Sequence, residues 1–151
     1  WNHPVVDLSQ DQIQNYIQWI RELTGDQYRL PNSKEAMKWH NIAHSAASKQ
    51  NTLNYSAGYS LTRDDAMLLK EKLAAEEVAL IKEVGSFPPQ KMGGHEIFDV
   101  SGNVAEYYLE GDDLKVYGYD AHSYADPFDP TFNESKMIGI RLVKEWRFYT
   151  N

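Results

Sequence analysis

The segment from Asp99 to Glu106 carries the most distinctive chemistry in this sequence. A turn there would bring two carboxylates and two backbone carbonyls around one point, and calcium prefers hard oxygen ligands of this kind. The same residues also suit a plain turn, in which Asp99 and Asn103 satisfy amides of that turn and Glu106 pairs with a cation. The residues alone leave both interpretations open.

Histidines offer a second kind of candidate site. His40 and His44 are four residues apart, the spacing at which two zinc ligands share one face of a helix. The intervening Asn41-Ile42-Ala43 lacks the glutamate of a hydrolytic zinc helix, and pattern matches without structural context are usually false, so a metal site is disfavoured. His95 and His122 are expected in loops, where an exposed histidine needs no function.

Aspartates and tyrosines cluster late in the chain, around residues 112–130. Tyrosine supplies rigid contact area, so these loops could form a recognition surface for a glycan or peptide. Asp-Pro pairs and tyrosines are also ordinary loop residues, and this second interpretation is favoured. The residues concerned are Asp112, Asp113, Asp120, Asp126, Asp129, Tyr117, Tyr119 and Tyr124.

Composition excludes several other classes of protein. The 151 residues, 42% of them hydrophobic, are enough for a single domain over 1–151 with its own core. The net charge of −7 gives no general attraction to nucleic acid or to an anionic membrane, and no apolar stretch is long enough to span a bilayer. The absence of cysteine excludes disulfides and thiolate metal sites within these residues.

Three helices are predicted in the first half of the chain, each beginning at a residue whose side chain can cap the first turn. The first two also show capping-box spacing. The predicted caps are Ser9 with Gln12, Asn32 with Glu35, and Thr62 for a helix reaching about Glu83. Thr24-Gly25 should end the first helix, and residues 45–61 are interpreted as loop.

Glycines and prolines divide the second half into short pieces. Strands are predicted at 96–100, 104–109, 114–119 and 138–143, with another near the start at 3–8. Because the helices come before most of the strands, the fold class is α+β and not a parallel βαβ sheet. We expect a loop-rich fold with short antiparallel strands and about three helices.

Five strings follow one another along the chain. They are His3-Pro4-Val5-Val6, Tyr28-Arg29-Leu30-Pro31 with Glu35, Val84-Gly85-Ser86-Phe87-Pro88-Pro89, the segment 98–107, and Gly139-Ile140-Arg141-Leu142-Val143. In this order they resemble the formylglycine-generating enzyme (sulfatase-modifying factor) family. The resemblance implies a C-type-lectin-like fold whose usual N-terminal portion is missing before Trp1. Apolar surface would then need cover from a protein partner or from that missing segment.

The resemblance also implies a structural calcium site. Its ligands would be the side chains of Asp99 and Glu106 and the carbonyls of Gly102 and Val104. A second calcium site of the family would use the side chain of Asn54 and the carbonyl of Tyr55. We interpret that second site as lost, because the predicted third helix takes the place of the acidic loop that would complete it.

Departures from the family pattern bear on function. Family members that make formylglycine bind copper through a late cysteine pair, and this sequence has none. Ala105 and Tyr107 stand where the family has tryptophans. The resemblance then implies a non-catalytic structural or binding module, in a setting outside the cytoplasm such as a cell-envelope, gliding or type IX secretion lipoprotein assembly. The alternative is a fragment of a formylglycine-generating or iron-dependent, sulfoxide-forming oxidoreductase whose metal ligands lie outside this chain.

Overall fold

The computed structural model describes residues 2–45, 81–86, 89–100, 102–118 and 137–145, with isolated positions at 64, 67, 71, 74 and 75. Two helices and seven short strands lie in these residues. They are α1 (Gln10–Thr24), β1 (Gln27–Arg29), α2 (Ser33–Ser45), β2 (Gln90–Met92), β3 (His95–Ile97), β4 (Ala105–Glu110), β5 (Asp113–Tyr117), β6 (Ile138–Gly139) and β7 (Val143–Glu145). The described part is therefore mixed α and β, with much of it in turns and loops.

Both predicted capping boxes are present. The Ser9 hydroxyl accepts the Gln12 amide at 3.2 Å, and the Gln12 side chain accepts the Ser9 amide at 2.8 Å. At α2, Asn32 Oδ1 accepts the Glu35 amide at 3.0 Å and Glu35 Oε2 accepts the Asn32 amide at 2.9 Å. Gly25, with φ of 73°, ends α1 in the left-handed conformation that glycine adopts without strain.

The helix predicted from about Thr62 to Glu83 lies mostly outside the described residues, as do residues 46–61 of the predicted loop. Positions 64, 67, 71 and 74 are helical, and the Ala75 amide donates to the Glu71 carbonyl at 3.1 Å. Residues 81–83 are not helical, so the helix ends before the predicted residue.

The strand predicted over 138–143 is in fact two strands in different sheets. β6 runs parallel to β4, whereas β7 pairs antiparallel with β1. The parallel pairing also corrects the expectation of antiparallel strands throughout. The prediction of a single strand fails because the apolar pattern continues through residues 140–142. These residues belong to no strand and connect the sheet of β4 to the sheet of β1. Gly139 fits this crowded position, since a Cβ there would lie 3.0 Å from the Val5 carbonyl oxygen.

Backbone conformation also corrects two other strand predictions. Residues 3–8 form no strand, and Asp7, with φ of 60°, lies outside the extended region of backbone conformation. β3 ends at Ile97, two residues before Asp99 with φ of 53°, and does not continue to residue 100 as predicted. His95, expected in a loop, is instead the first residue of β3, which forms a hairpin with the unpredicted β2.

The core gathers apolar residues from both helices and from the turn before β4. Its buried hydrophobic members are Ile13, Leu30, Ala36, Trp39, Val100, Val104 and Ala105. α1 contributes Ile13 to this core, but its neighbouring apolar residues remain accessible, with Trp19 52% and Leu23 64% exposed. Three of the seven buried hydrophobic residues, Val100, Val104 and Ala105, lie in the segment that holds the candidate site.

Candidate functional site

The turn from Asp99 to Glu106 brings the four predicted calcium ligands to one cavity, whose lining includes Asp99, Gly102, Val104 and Glu106. All four residues are buried. Asp99 and Asn103, with φ of 53° and 71°, adopt the left-handed conformation that Asp and Asn tolerate better than most residues. This local geometry explains why short polar side chains occupy both positions.

Glu106 is held by two partners. Arg141 donates from Nη2 to Oε1 at 2.7 Å and from Nε to Oε2 at 3.0 Å, which forms a two-point ion pair. The Tyr117 hydroxyl also donates to Oε2, at 2.7 Å. Burial raises the pKa of the Tyr117 hydroxyl, and the Glu106 charge raises it further, so the phenol stays protonated and donates.

Arg141 connects this carboxylate to the turn. Its Nη2 also donates to the carbonyl oxygens of Phe98 at 2.9 Å and of Asp99 at 3.1 Å. The guanidinium carbon lies 6.0 Å from the centre of the Trp39 ring. Sequence reasoning assigned no role to Arg141, although one arginine between Ile140 and Leu142 was a signal, because a charge among apolar residues usually has a partner.

Asp99 has one satisfied and one unsatisfied oxygen. Its Oδ2 accepts the Gly85 amide at 2.7 Å, whereas the buried Oδ1 has no hydrogen-bond partner in the described part of the chain. Burial raises the pKa of this carboxyl, while the Gly85 amide and the Arg141 charge act in the opposite direction. An unsatisfied buried carboxylate oxygen is unfavourable, so it is a place where a cation or a donor would bind.

Asn103 satisfies the backbone of a neighbouring segment. Its Oδ1 accepts the Lys82 amide at 2.8 Å, and its Nδ2 donates to the Lys82 carbonyl at 2.9 Å. The pairing of Glu106 with Arg141 agrees with the plain-turn interpretation, whereas the amides that Asp99 and Asn103 accept belong to Gly85 and Lys82, outside the turn. The unpartnered Asp99 Oδ1 is the feature that this interpretation does not use.

A family model described as the sulfatase-modifying factor enzyme 1-like domain, FGE-sulfatase, matches residues 1–125. The chain belongs to this family. The resemblance drawn from the five strings is thus confirmed, although the string at 139–143 lies beyond the matched range. A comparison with curated proteins finds no match.

The turn of this FGE-sulfatase domain contains oxygen atoms of the kind that calcium prefers. Asp99 Oδ1 is buried and unpartnered, and Glu106 Oε1, which accepts one bond from Arg141, has a second lone pair to offer. The Gly102 carbonyl accepts the Val104 amide at 2.9 Å and can likewise accept a second contact. No group of three or more His, Cys, Asp or Glu that could hold a metal occurs among the described residues.

The other candidate sites fall largely outside the residues that the structure describes. This is so for the side chains of His40 and His44, for His122, and for Asn54 and Tyr55. In the acidic and tyrosine-rich cluster, Asp112, Asp113 and Tyr117 are described and the other members are not. Tyr117 belongs to β5 and bonds Glu106, so it supports the turn and not a loop surface.

Proposed function

We propose that this FGE-sulfatase domain is a non-catalytic structural or binding module. One observation carries the proposal: none of the 151 residues is a cysteine, whereas the copper chemistry implied for the family depends on thiolate ligands. The Asp99 to Glu106 turn nevertheless contains buried side chains, and Glu106 is bonded to Arg141. An ordered turn in a domain that has no cysteine thiolates favours a binding role over an oxidase activity.

The test is a direct search for turnover. The protein is incubated with copper, oxygen and a sulfatase-type cysteine peptide, and mass spectrometry is used to look for the aldehyde, with a heat-denatured sample as the control. We expect no aldehyde above that control. Enzyme-dependent aldehyde would overturn the proposal, and stoichiometric iron in the purified protein would favour the alternative of an iron-dependent oxidoreductase fragment.

Calcium is part of the proposed function. The side chains of Asp99 and Glu106 and the carbonyls of Gly102 and Val104 would hold the ion, which would neutralise buried negative charge and stabilise the turn. The support for this assignment is the burial of both residues, at 7% exposure each, together with an Asp99 oxygen that has no hydrogen-bond partner among the described residues. The Arg141 charge beside Glu106 would weaken the affinity for a second cation.

Binding to a partner is the second part of the proposed function. Exposed apolar side chains at Val5, Trp19 and Leu23, between 52% and 65% accessible, suit cover by a protein partner or by the N-terminal segment usual in the family. A peptide or glycan ligand and an extracytoplasmic setting, in the periplasm or at the outer membrane, complete the proposal. No helix in the described residues is long and apolar enough to cross a membrane. Cell fractionation of the native protein tests this placement, and recovery with cytoplasmic markers alone would contradict it.

A further inference from the structure

Strand β5 lies at one edge of the three-stranded sheet, whose order is β5-β4-β6. β4 pairs with one side of it, and no strand of the described residues pairs with the other side. Asp113, Lys115 and Val116 are exposed in this strand, the last of them to 40%. An exposed edge strand presents backbone N–H and C=O groups to which a second extended chain can bind.

The register shows which backbone groups of β5 point outward. A two-residue turn joins β4 to β5, so the pair that closes it, Glu110 with Asp113, is a hydrogen-bonded pair, and such pairs alternate along the hairpin. Leu114 and Val116 therefore direct their N–H and C=O groups away from β4. The amide of Leu109, which lies opposite Leu114, agrees with this alternation, because it donates to a carbonyl oxygen outside the hairpin at 2.9 Å.

The outward groups of Leu114 and Val116 make no hydrogen bond among the described residues. Each residue offers one donor and one acceptor, and the two residues have the spacing at which antiparallel strands exchange hydrogen bonds. A second extended chain could therefore bond to both residues while the pairing of β4 with β5 stays as it is.

The side chains of β5 indicate which sequence would fit there. Leu114 and Val116 lie on one face of the hairpin together with Leu109, because side chains alternate along each strand. Leu109 and Leu114 line a groove of about 410 Å³ to which Ile13 and Ile17 of α1 also contribute. Residues of a second chain that lie opposite Leu114 and Val116 point to this same face, so apolar side chains suit both positions.

The other face of β5 carries two charges of opposite sign. Asp113 and Lys115 are exposed, and no ion pair of the described residues includes either of them. Opposite charges directly across a strand pair attract, which favours a carboxylate opposite Lys115 and a cationic side chain opposite Asp113. Two β5 strands from separate copies, paired antiparallel through Leu114 and Val116, would instead place both Lys115 side chains opposite each other, which is unfavourable.

We propose that β5 binds an extended, antiparallel segment of a partner protein whose successive residues are apolar, acidic, apolar and basic. From the N-terminus of that segment, these residues lie opposite Val116, Lys115, Leu114 and Asp113. The inference rests on the proposed binding function and specifies the kind of partner. It requires neither calcium nor the Asp99 to Glu106 turn.

The first experiment follows amide hydrogen exchange in the isotope-labelled full chain by NMR. In the protein alone, the Leu114 and Val116 amides should exchange fast, whereas the Lys115 amide, which is directed at β4, should be protected. The probe is the peptide Thr-Val-Glu-Val-Lys-Thr, blocked at both ends. At a peptide concentration ten times Kd, exchange of the Leu114 and Val116 amides should slow by about tenfold.

Matched peptides separate backbone pairing from side-chain contacts. N-methylation of both valines removes the donors that face β5 and keeps every side chain, so affinity should fall by about tenfold. N-methylation of the glutamate alters an amide that points away from β5 and should change affinity by less than about threefold. These peptides test the proposal without any change to the fold of the protein.

A charge exchange tests the choice of partner. The peptide with its glutamate and lysine exchanged should bind roughly three- to tenfold more weakly to the wild type. The double variant Asp113→Lys with Lys115→Glu changes two exposed residues and should reverse this preference.

Any of four results would overturn the proposal. They are protected Leu114 and Val116 amides in the monomer alone, equal binding of the peptide with N-methylated valines, no preference between the two charge patterns, and protection that rises with protein concentration, which would assign the edge to a second copy. No peptide binding together with no aldehyde formation would refute strand addition alone. Enzyme-dependent aldehyde would overturn the non-catalytic function whatever β5 binds.

Discussion

The Arg141 guanidinium and the Glu106 carboxylate meet through two hydrogen bonds, of 2.7 Å and 3.0 Å, across 35 residues of sequence. The Glu106 side chain is 9% exposed and that of Arg141 23%. Because Arg141 also bonds the carbonyls of Phe98 and Asp99, one side chain joins the segment between β6 and β7 to the candidate site. This relationship leads to the first prediction.

Arg141→Met should destabilise the fold strongly, because it leaves the Glu106 carboxylate buried without its ion-pair partner. Removing one member of a buried pair typically costs about 3 to 5 kcal/mol. The free energy of unfolding is measured by urea denaturation. Glu145→Gln is the control, since it breaks an exposed pair with Arg29 and should cost less than about 1 kcal/mol. Equal losses in the two variants would contradict a central role for Arg141.

Calcium should raise the melting temperature of the intact protein, because a ligand that binds only the folded state stabilises it. At a calcium concentration one hundred times Kd, the expected rise is roughly 5 to 10 °C. Asp99→Ala should abolish this rise, while Asp113→Ala, at an exposed position in β5, should retain it. Differential scanning calorimetry with calcium and with chelator makes the comparison, and an unchanged transition in the wild type would refute the calcium site.

Tyr117→Phe should cost about 1.5 to 3 kcal/mol, since it removes a hydrogen bond to a charged group while keeping the ring. The loss should be much smaller when Glu106→Gln is already present, because the acceptor is then neutral. Urea denaturation of the four proteins in this double-mutant cycle gives the coupling free energy. Strictly additive losses would show that the two groups act independently.

Glu35 provides a pH test with a definite sign. The Arg29 guanidinium holds the pKa of this carboxyl below its ordinary value of 4.5. A lowered pKa in the folded state stabilises the protein above the unfolded-state value, and this contribution is lost as pH falls through the folded-state value. The stability difference between wild type and Glu35→Gln should therefore be constant near neutrality and shrink below about pH 4.5.

Glutamine is a suitable replacement in that experiment because it preserves the acceptor of the capping box with Asn32. Denaturation curves are collected from pH 7 to pH 3 for both proteins. A difference that grows as the solution becomes more acidic would have the wrong sign and would contradict the assigned ion pair.

Features that depend on neighbouring residues were predictable from the chain. The Ser9 and Asn32 capping boxes follow from a spacing of three residues, and Gly25 ends α1 because glycine tolerates positive φ. Strands β4 and β5 also lie within two residues of the positions predicted for them. Family membership followed from ordered strings, which do not require a structure to be recognised.

Contacts between residues that are distant in the sequence could be seen only in the tertiary structure. The division of 138–143 into β6 and β7 depends on which strands lie alongside, and the pairing of Glu106 with Arg141 depends on packing that joins distant segments. Local sequence preferences describe single turns and faces, whereas burial and charge pairing are properties of surfaces brought together. For this reason Asp99 could be predicted as a site residue from its turn, but only the tertiary structure shows that one of its oxygens has no partner among the described residues.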